Sequence, residues 1–253
     1  MCLILFAWQA HPEYRLVVAA NRDEYFARPA REAHFWEDAP HVYAGRDLEK
    51  MGTWLGVSRA GRFAALTNYR APGEFKAGRR SRGELVAGYL TGHEPPDAYL
   101  RQADRRAGEY PGFSLLAGDS DTLYYYSNRE GRIRKLAPGI YGLSNHLLNT
   151  DWPKVTRGRE ELERIVAAGG TDMAERLLQL LRSDERAPDH LLPSTGVPLE
   201  TERMLSSIFI AGAGYGTRCS TVVMMSDRNT QFVERTYDQN GGFRDRKQLI
   251  LHG

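Results

Sequence analysis

Short apolar runs recur along the chain and predict β-strands. The first run, residues 2–8, is apolar at every position, and a second run, residues 15–20, follows a polar stretch at residues 9–13. Periodicity alone does not separate strand from helix here, but the short length and the His11-Pro12 break favour strands. We therefore expect a hairpin of two strands, each covered on both faces.

Similar runs and helix start signals predict the remaining elements. Further strands are expected at residues 53–58, 63–68, 113–118, 122–127, 132–136, 140–145, 206–211, 217–225 and 230–237. Helices are expected at residues 81–92, 96–107, 153–167 and 172–181, the first opened by a capping box of Ser81 and Glu84. Residues 25–46 and 184–203 are expected to be loops. Because no strand–helix–strand alternation occurs, we predict an α+β fold of two stacked antiparallel sheets between helix layers, in one domain spanning residues 1–253.

Composition restricts the classes of partner. The 253 residues are 42% hydrophobic and 26% charged, and 34 Lys plus Arg against 32 Asp plus Glu leave a formal charge of +2. This charge is too small to predict binding to nucleic acid or a membrane surface. The first apolar run is too short for a signal peptide or a membrane span, and two cysteines do not make a disulfide scaffold. We expect a soluble cytoplasmic protein with a small-molecule ligand and no stable membrane insertion.

Cys2 is the first candidate for chemistry. If Met1 is removed, Cys2 carries a thiol and a free α-amino group, so a nucleophile and a base belong to the same residue. The amine titrates near pH 8 and can take the thiol proton directly or through a water. The alternative interpretation is that Cys2 is a small buried hydrophobic residue.

The predicted hairpin brings the end of its second strand back beside Cys2. That strand is followed by Asn21, Arg22, Asp23 and Glu24. An arginine beside a thiol favours the thiolate, and an aspartate there would hold the new amino terminus. Asn21 and Glu24 are expected to contact substrate. The alternative is a solvated surface turn.

Three other side chains are candidates to complete the site. Asn145 ends a predicted strand and is expected to donate to an oxyanion, with Asn68 in a similar position at the end of another strand. Either amide could instead be a turn or cap residue. Arg218 opens an otherwise apolar strand, where it would pair with Asp23 or Glu24 or meet an anionic substrate. Its alternative interpretation is an arginine at the edge of a sheet.

Histidines give a weaker signal. The seven histidines show no metal-binding spacing, so we predict no metal site. His146 directly follows Asn145 and is a candidate contact for substrate or haem. The alternative interpretation is that His146 is a partly exposed loop residue.

Five segments carry a resemblance to a known family. They are ANRDEYFARP at residues 20–29, GTWLGV at 52–57, LTNYR at 66–70, YGLSN at 141–145 and GTRCSTVV at 216–223. In this order and spacing, the chain resembles the NRDE family, also called the transport and Golgi organization protein 2 family, over essentially its whole length. The resemblance implies the four-layer αββα fold of N-terminal nucleophile hydrolases.

Within that superfold, the chain is more loosely similar to choloylglycine and acid ceramidase-like amidases. This similarity implies catalytic roles for Cys2, Arg22, Asp23, Asn145 and Arg218. The NRDE family itself is linked to haem trafficking and to acyl-CoA and lipid handling, so the resemblance supports the site more than the reaction.

Two functions are therefore expected. The first is a cysteine hydrolase of an amide or thioester bond in a small acyl or lipid-like substrate, which requires no cofactor. The second is a carrier that binds haem or acyl-CoA without chemistry, with basic groups in the loop around Arg70, Lys76, Arg79 and Arg80 holding carboxylates or phosphates. A homo-oligomer is compatible with either function.

Overall fold

A computed structural model describes residues 2–71 and 79–252. Over these residues the strands are β1 Cys2–Trp8, β2 Tyr14–Tyr25, β3 Ala30–Phe35, β4 Val42–Asp47, β5 Leu55–Ser58, β6 Phe63–Asn68, β7 Phe113–Gly118, β8 Leu123–Ser127, β9 Arg132–Lys135, β10 Gly139–Leu143, β11 Tyr215–Ser226, β12 Asn229–Tyr237 and β13 Phe243–His252. The helices are α1 Gly83–Thr91, α2 Pro96–Arg105, α3 Pro153–Ala168, α4 Met173–Leu180 and α5 Leu199–Leu205.

The described residues group into two compact units. The first takes in those within Met1–Ala27, Pro138–Ser144 and Leu148–His252, and the second those within Arg28–Ala137 and Asn145–Leu147. Each unit contains one antiparallel sheet with helices, so the predicted α+β class with two antiparallel sheets is confirmed. The assignment of a single domain stays a prediction.

The sheet of the first unit is built around the N-terminal hairpin. Its strand order is β10-β1-β2-β11-β12-β13, and all neighbours are antiparallel. Alternate residues of β1, such as Leu3 and Leu5, join a core cluster with α3 and α4. The intervening residues, such as Ile4 and Phe6, are also fully buried. Burial on both faces explains why β1 is apolar at every position.

The sheet of the second unit is a meander. Its seven strands follow one another in chain order from β3 to β9. One face packs against α1 and α2 around a core that includes Tyr89, Phe113 and Tyr126.

None of the helices in the described part of the chain is long and apolar enough to cross a bilayer.

Two predicted loops are wrong. Residues 25–46 contain β3 and β4, which pair with a register irregularity between Arg31 and His34, so their apolar and polar residues do not alternate cleanly. Residues 184–203 contain most of α5. The charged edge strand β13 was not predicted at all.

The predicted strand at residues 206–211 is also wrong. Ile208, Phe209 and Ile210 are buried, but they belong to no strand. An apolar run reports burial, and burial does not require a ladder of strand hydrogen bonds.

The predicted capping box of α1 does not form. The helix begins at Gly83, after Arg82, and has no side-chain cap. The Glu84 carboxylate instead accepts a hydrogen bond of 2.5 Å from the Tyr110 hydroxyl and pairs with Arg80. A stronger tertiary contact therefore replaces the local cap.

Candidate functional site

Strand pairing places Cys2 directly opposite Arg22. Cys2 on β1 and Cys219 on β11 are both register partners of Arg22 on the intervening strand β2. Directly opposed residues of antiparallel strands project from the same face, with Cβ atoms about 5 Å apart. The two thiols therefore flank one guanidinium. Both cysteines are free, and two strand spacings of about 4.8 Å each separate them too widely for a disulfide.

Some features around the Cys2 thiol raise its pKa, and others lower it. Cys2 is buried, with 8% of its surface exposed, and this burial raises the thiol pKa. The negative charge of Asp23 raises the pKa further, whereas Arg22 and a hydrogen bond from the Asp23 peptide N–H lower it. The backbone of Cys2 is also fixed, because the Ser144 hydroxyl donates to its carbonyl oxygen over 3.2 Å.

The Asp23 carboxyl lies on the opposite face of the sheet from the thiol. Its Oδ1 accepts a 2.7 Å hydrogen bond from the hydroxyl of Thr217, its register partner on β11. Burial raises the pKa of Asp23, and the nearby Lys154, at the start of α3, acts in the opposite direction. Lys154 is itself buried. Asp23 is thus a buried charge faced by a buried cation.

Neither Lys154 nor Thr217 was recognised from the sequence. Lys154 follows Pro153 in the first turn of α3, and that turn contains no acidic residue. A cation at this position faces the positive end of the helix dipole, which is unfavourable without an anionic partner. The unusual position of Lys154 was therefore an available signal for such a partner.

Arg218 lies at an irregularity of β11. The register with β2 shifts between Thr217 and Cys219, so Arg218 is the extra residue. Its Nη1 donates to the carbonyl oxygen of Tyr25 over 3.0 Å. Burial and the neighbouring Arg22 lower its pKa, while Glu24 acts in the opposite direction. Asp23 and Glu24 were the two expected partners of Arg218. Of these, Glu24 projects from the same face of the sheet as Arg22.

Asn21 is fully buried on the face opposite Cys2. Its Nδ2 donates to the carbonyl oxygens of Leu181 and Ile208, both over 2.9 Å, and its Oδ1 accepts from the Ser220 hydroxyl over 2.6 Å. These hydrogen bonds connect β2 to neighbouring segments, so Asn21 has a structural role. Glu24 is half-buried, and its Oε1 accepts from the Tyr25 peptide N–H. Substrate contact by Asn21 or Glu24 stays a prediction.

A second group of predicted residues comes together within the second unit. Strand β10 ends at Leu143, two residues earlier than predicted, so Asn145 lies beyond the strand. The fully buried Asn145 donates through Nδ2 to the carbonyl oxygen of Asn68 over 3.0 Å, and its own carbonyl accepts from the Arg70 peptide N–H over 2.7 Å. Asn145, Asn68 and Arg70 are thus adjacent, and their roles in catalysis or binding stay predictions.

His146 belongs to the same group. Its Nε2 lies 2.7 Å from the Tyr69 hydroxyl, and the two rings are 4.8 Å apart. Burial lowers the pKa of His146. An iron bound through Nε2 would have to break the contact with Tyr69, so this geometry does not fit His146 as a haem ligand through that atom. Haem binding stays a prediction.

Two arginines of the basic loop lie among the described residues beyond its gap. Arg79 donates to the carbonyl oxygen of Tyr110, and Arg80 pairs with Glu84 and Glu109. Lys76 lies outside the described residues. Among the residues that are described, no three His, Cys, Asp or Glu side chains are arranged to hold a metal ion.

The fold is that of the N-terminal nucleophile hydrolases. The chain is similar to a mutant (C2A) of a conjugated bile acid hydrolase from Clostridium perfringens, with a TM-score of 0.50, 8% identity, and coverage of 98% of this chain and 92% of that one. It is also similar to a Caenorhabditis elegans orthologue of N-acylethanolamine-hydrolyzing acid amidase, with a TM-score of 0.48, 9% identity, and coverage of 87% and 92%.

The chain belongs to the Transport and Golgi organisation 2 family, whose model matches residues 1–239. It is 40% identical to the Transport and Golgi organization protein 2 homolog of Bos taurus and 37% identical to that of Homo sapiens, in each case over 93% of both chains. The Drosophila melanogaster protein is 33% identical over 93% of this chain and 92% of its own. The family resemblance predicted from the sequence is confirmed.

Proposed function

We propose that the chain, once Met1 is removed, is an N-terminal cysteine hydrolase that cleaves an amide or thioester bond in a small acyl or lipid-like substrate. The observation that carries this proposal is the register pairing of Cys2 with Arg22. It puts a permanent positive charge beside the sulfur of the second residue, where a thiolate would need it.

The first half of the reaction acylates the protein. The α-amino group of Cys2 takes the thiol proton, and Sγ attacks the carbonyl carbon of the substrate. The carbonyl π electrons move to oxygen, which becomes the oxyanion. When the carbonyl re-forms, the C–N or C–S bond breaks, and the proton held by the amine passes to the leaving amine or thiol. The acyl group remains on Sγ as a thioester.

The second half releases the acyl group. The α-amino group takes a proton from water, and the hydroxide attacks the thioester carbonyl. The C–S bond then breaks, a carboxylic acid leaves, and the proton returns to Sγ. Water is the only co-reactant, so the cycle requires no cofactor.

The other predicted residues support these steps in the proposal. Arg22 and the Asp23 peptide N–H both lower the pKa of the Cys2 thiol, which opposes the effect of burial and favours the thiolate. Arg218 meets the charge of an anionic substrate. Asn145 is proposed as the oxyanion donor because of its sequence position, directly after the residue that fixes the Cys2 carbonyl.

One structural neighbour supports the choice of nucleophile. The conjugated bile acid hydrolase was solved with its cysteine at position 2 changed to alanine. This chain also has a cysteine at position 2. At 8% identity the likeness concerns the fold, so the substrate class rests on the proposal itself.

Mass spectrometry of the intact protein tests the proposal. The purified chain should lack Met1, and incubation with short- and long-chain acyl thioesters and N-acyl amides should add an acyl mass to Cys2 and release product over time. Cys2→Ala should remove both the adduct and turnover, whereas Cys219→Ala, which changes the other thiol beside Arg22, should retain them.

Two results would refute the hydrolase. One is retention of Met1 in active protein, because the proposed base would then be an amide nitrogen. The other is equal turnover by the parent chain and Cys2→Ala. Binding of haem or an acyl-CoA thioester without turnover by a chain that retains Met1 would favour the carrier function instead.

A further inference from the structure

A basic cavity lies in the first unit, apart from the residues of the candidate site. Its volume is about 340 Å³, and it is lined by Arg182, Arg235, Tyr237, Phe243 and Arg246. The size suits a small organic ligand. None of these residues has a role in the hydrolysis proposed above.

Strand register places this cavity on the face of the sheet opposite Cys2. Arg235 on β12 is the register partner of Ser220, which is in turn the partner of Asn21. These side chains share the face that α4 covers, whereas Arg22 and Cys2 project from the other face. A ligand in the cavity would therefore not compete with one at the Cys2 thiol.

Two of the arginines repel each other across neighbouring strands. Arg235 and Arg246 are register partners on β12 and β13. Like charges directly opposite each other destabilise a sheet unless an anion bridges them. Glu175 on α4 is that anion in part, because Arg235 Nη2 lies 2.8 and 2.7 Å from its two oxygens and Arg246 Nη1 lies 3.8 Å from Oε2. One carboxylate thus serves two guanidinium groups.

The third arginine adds a further positive charge. Arg182 donates to the carbonyl oxygen of Gly241 over 2.9 Å and stands 4.0 Å from the centre of the Phe209 ring and 5.0 Å from that of Tyr237. Within the described part of the chain, its side chain pairs with no carboxylate. Counting only residues that the structure describes, three guanidinium groups against Glu175 leave two positive charges in the cavity without a matching carboxylate.

The cavity also has an aromatic wall. Phe243, at the start of β13, is 62% exposed, which is unusual for a ring of this size. Tyr237, the register partner of Phe243 on β12, packs edge to face with Phe209, with ring centres 5.0 Å apart. A flat group could lie against Phe243 while its charged end reaches the arginines.

We propose that this cavity binds a phosphate monoester joined to a flat organic ring. A phosphate monoester carries close to two negative charges at neutral pH, because its second pKa is about 6. That charge equals the excess of guanidinium groups in the cavity. Guanidinium groups bind phosphate oxygens through paired N–H donors, and the exposed Phe243 ring supplies the surface for the organic part.

Calorimetric titration of the full chain tests the proposal with three probes. Phenyl phosphate contains the ring and the dianion, inorganic phosphate contains the dianion alone, and benzenesulfonate contains the ring with a single charge. We expect phenyl phosphate to bind at least about fivefold more tightly than either of the others at about pH 7.5. Its affinity should fall at about pH 5, where the phosphate loses one charge.

Variants assign the binding to this cavity. Arg182→Gln and Phe243→Ala should each weaken phenyl phosphate binding at least about fivefold, since each removes one of the two proposed contacts. Both residues are exposed, so the fold should persist, as thermal unfolding will show. The matched control is Arg228→Gln, an exposed arginine in the turn between β11 and β12, which should bind like the parent.

Several outcomes would overturn the assignment. Absence of phenyl phosphate binding up to millimolar concentrations would do so, as would equal binding by the parent, Arg182→Gln and Phe243→Ala. Inorganic phosphate that binds as tightly as phenyl phosphate would remove the ring from the proposal, and equal binding of benzenesulfonate would remove the dianion. Cys2→Ala should leave binding unchanged, and failure of the hydrolase proposal would not affect this test.

Discussion

Asn21 provides the most direct test of how the sheet of the first unit is held. Its buried amide connects β2 to the carbonyl oxygens of Leu181 and Ile208 and to the hydroxyl of Ser220. Asn21→Leu keeps a side chain of similar size and removes all three hydrogen bonds. Two buried carbonyl oxygens then lose a donor, and one hydroxyl loses its acceptor.

The expected cost follows from counting these contacts. Each lost hydrogen bond costs about 1–1.5 kcal/mol, and a buried group left without a partner raises that figure, so three contacts amount to about 4–5 kcal/mol. Burial of the leucine side chain offsets about 1–2 kcal/mol. We therefore expect Asn21→Leu to lower the free energy of unfolding by about 3 kcal/mol, or the melting temperature by about 6–12 °C.

Urea unfolding followed by circular dichroism measures this change. Ser220→Ala is the matched control, because Asn21 then keeps both of its amide hydrogen bonds. The Tyr237 hydroxyl, which donates to Ser220 Oγ over 3.1 Å, also loses its acceptor, so the cost should be about 2 kcal/mol. The double variant should cost less than the sum of the two single ones, since both remove the same Asn21–Ser220 contact. A loss below about 1 kcal/mol for Asn21→Leu would refute the structural role assigned to Asn21.

Other changes test the charges around the candidate site. Lys154→Met removes the cation that faces Asp23, and urea titration at neutral pH should show a loss of about 3 kcal/mol. Because burial raises the pKa of Asp23 above its value in the unfolded chain, its protonation favours folding at low pH, and this contribution is lost as the pH rises through the folded pKa. Without Lys154 the pKa of Asp23 in the folded chain should be higher still, so in Lys154→Met the contribution from Asp23 protonation should be lost only at higher pH. An unchanged pH profile of stability would contradict the interaction of Lys154 with Asp23. Arg22→Gln should slow alkylation of Cys2 by iodoacetamide severalfold at about pH 8, because Arg22 lowers the thiol pKa; equal rates would count against it. Peptide mapping of the native protein should find Cys219 unmodified while Cys2 reacts, because burial raises the pKa of Cys219 well above its ordinary value; preferential labelling of Cys219 would reverse that ranking.

An element of the fold could be predicted from sequence where the apolar pattern of its residues agrees with the strand or helix that they form. Strand β1 is apolar because both of its faces are buried, and its bounds agree with the prediction. Ile208, Phe209 and Ile210 of the predicted strand at 206–211 are also apolar and buried, yet they pack without joining a sheet. Strand β13 is an edge strand with many charges, and such charges protect an exposed edge while hiding the strand from a hydrophobic pattern.

The candidate site could be predicted where the connection between residues is local. A short hairpin fixes the pairing of Cys2 with Arg22, so the sequence was sufficient to bring them together. The partner of Asp23 could not be found in this way, because Lys154 is separated from it by more than half the chain and reaches it only through the packing of α3 on the sheet. The charged residue at the start of that helix was the only local sign.

Strand alternation explains why a run of four polar residues can serve two purposes. Strand β2 continues through Asn21, Arg22, Asp23 and Glu24 and does not end before them, so successive side chains project to opposite faces. Arg22 and Glu24 share the face of Cys2, while Asn21 and Asp23 lie on the face covered by helices and are almost fully buried. A one-residue shift of β2 against β1 would therefore place Asp23 beside the thiol, where its negative charge raises the thiol pKa, and would move Arg22 to the helices. The hydrogen bonds of Asn21 and the hydrogen bond between Asp23 and Thr217 thus hold the register that keeps the guanidinium beside Cys2. Loss of Asn21 should therefore affect the reactivity of the thiol as well as the stability of the sheet.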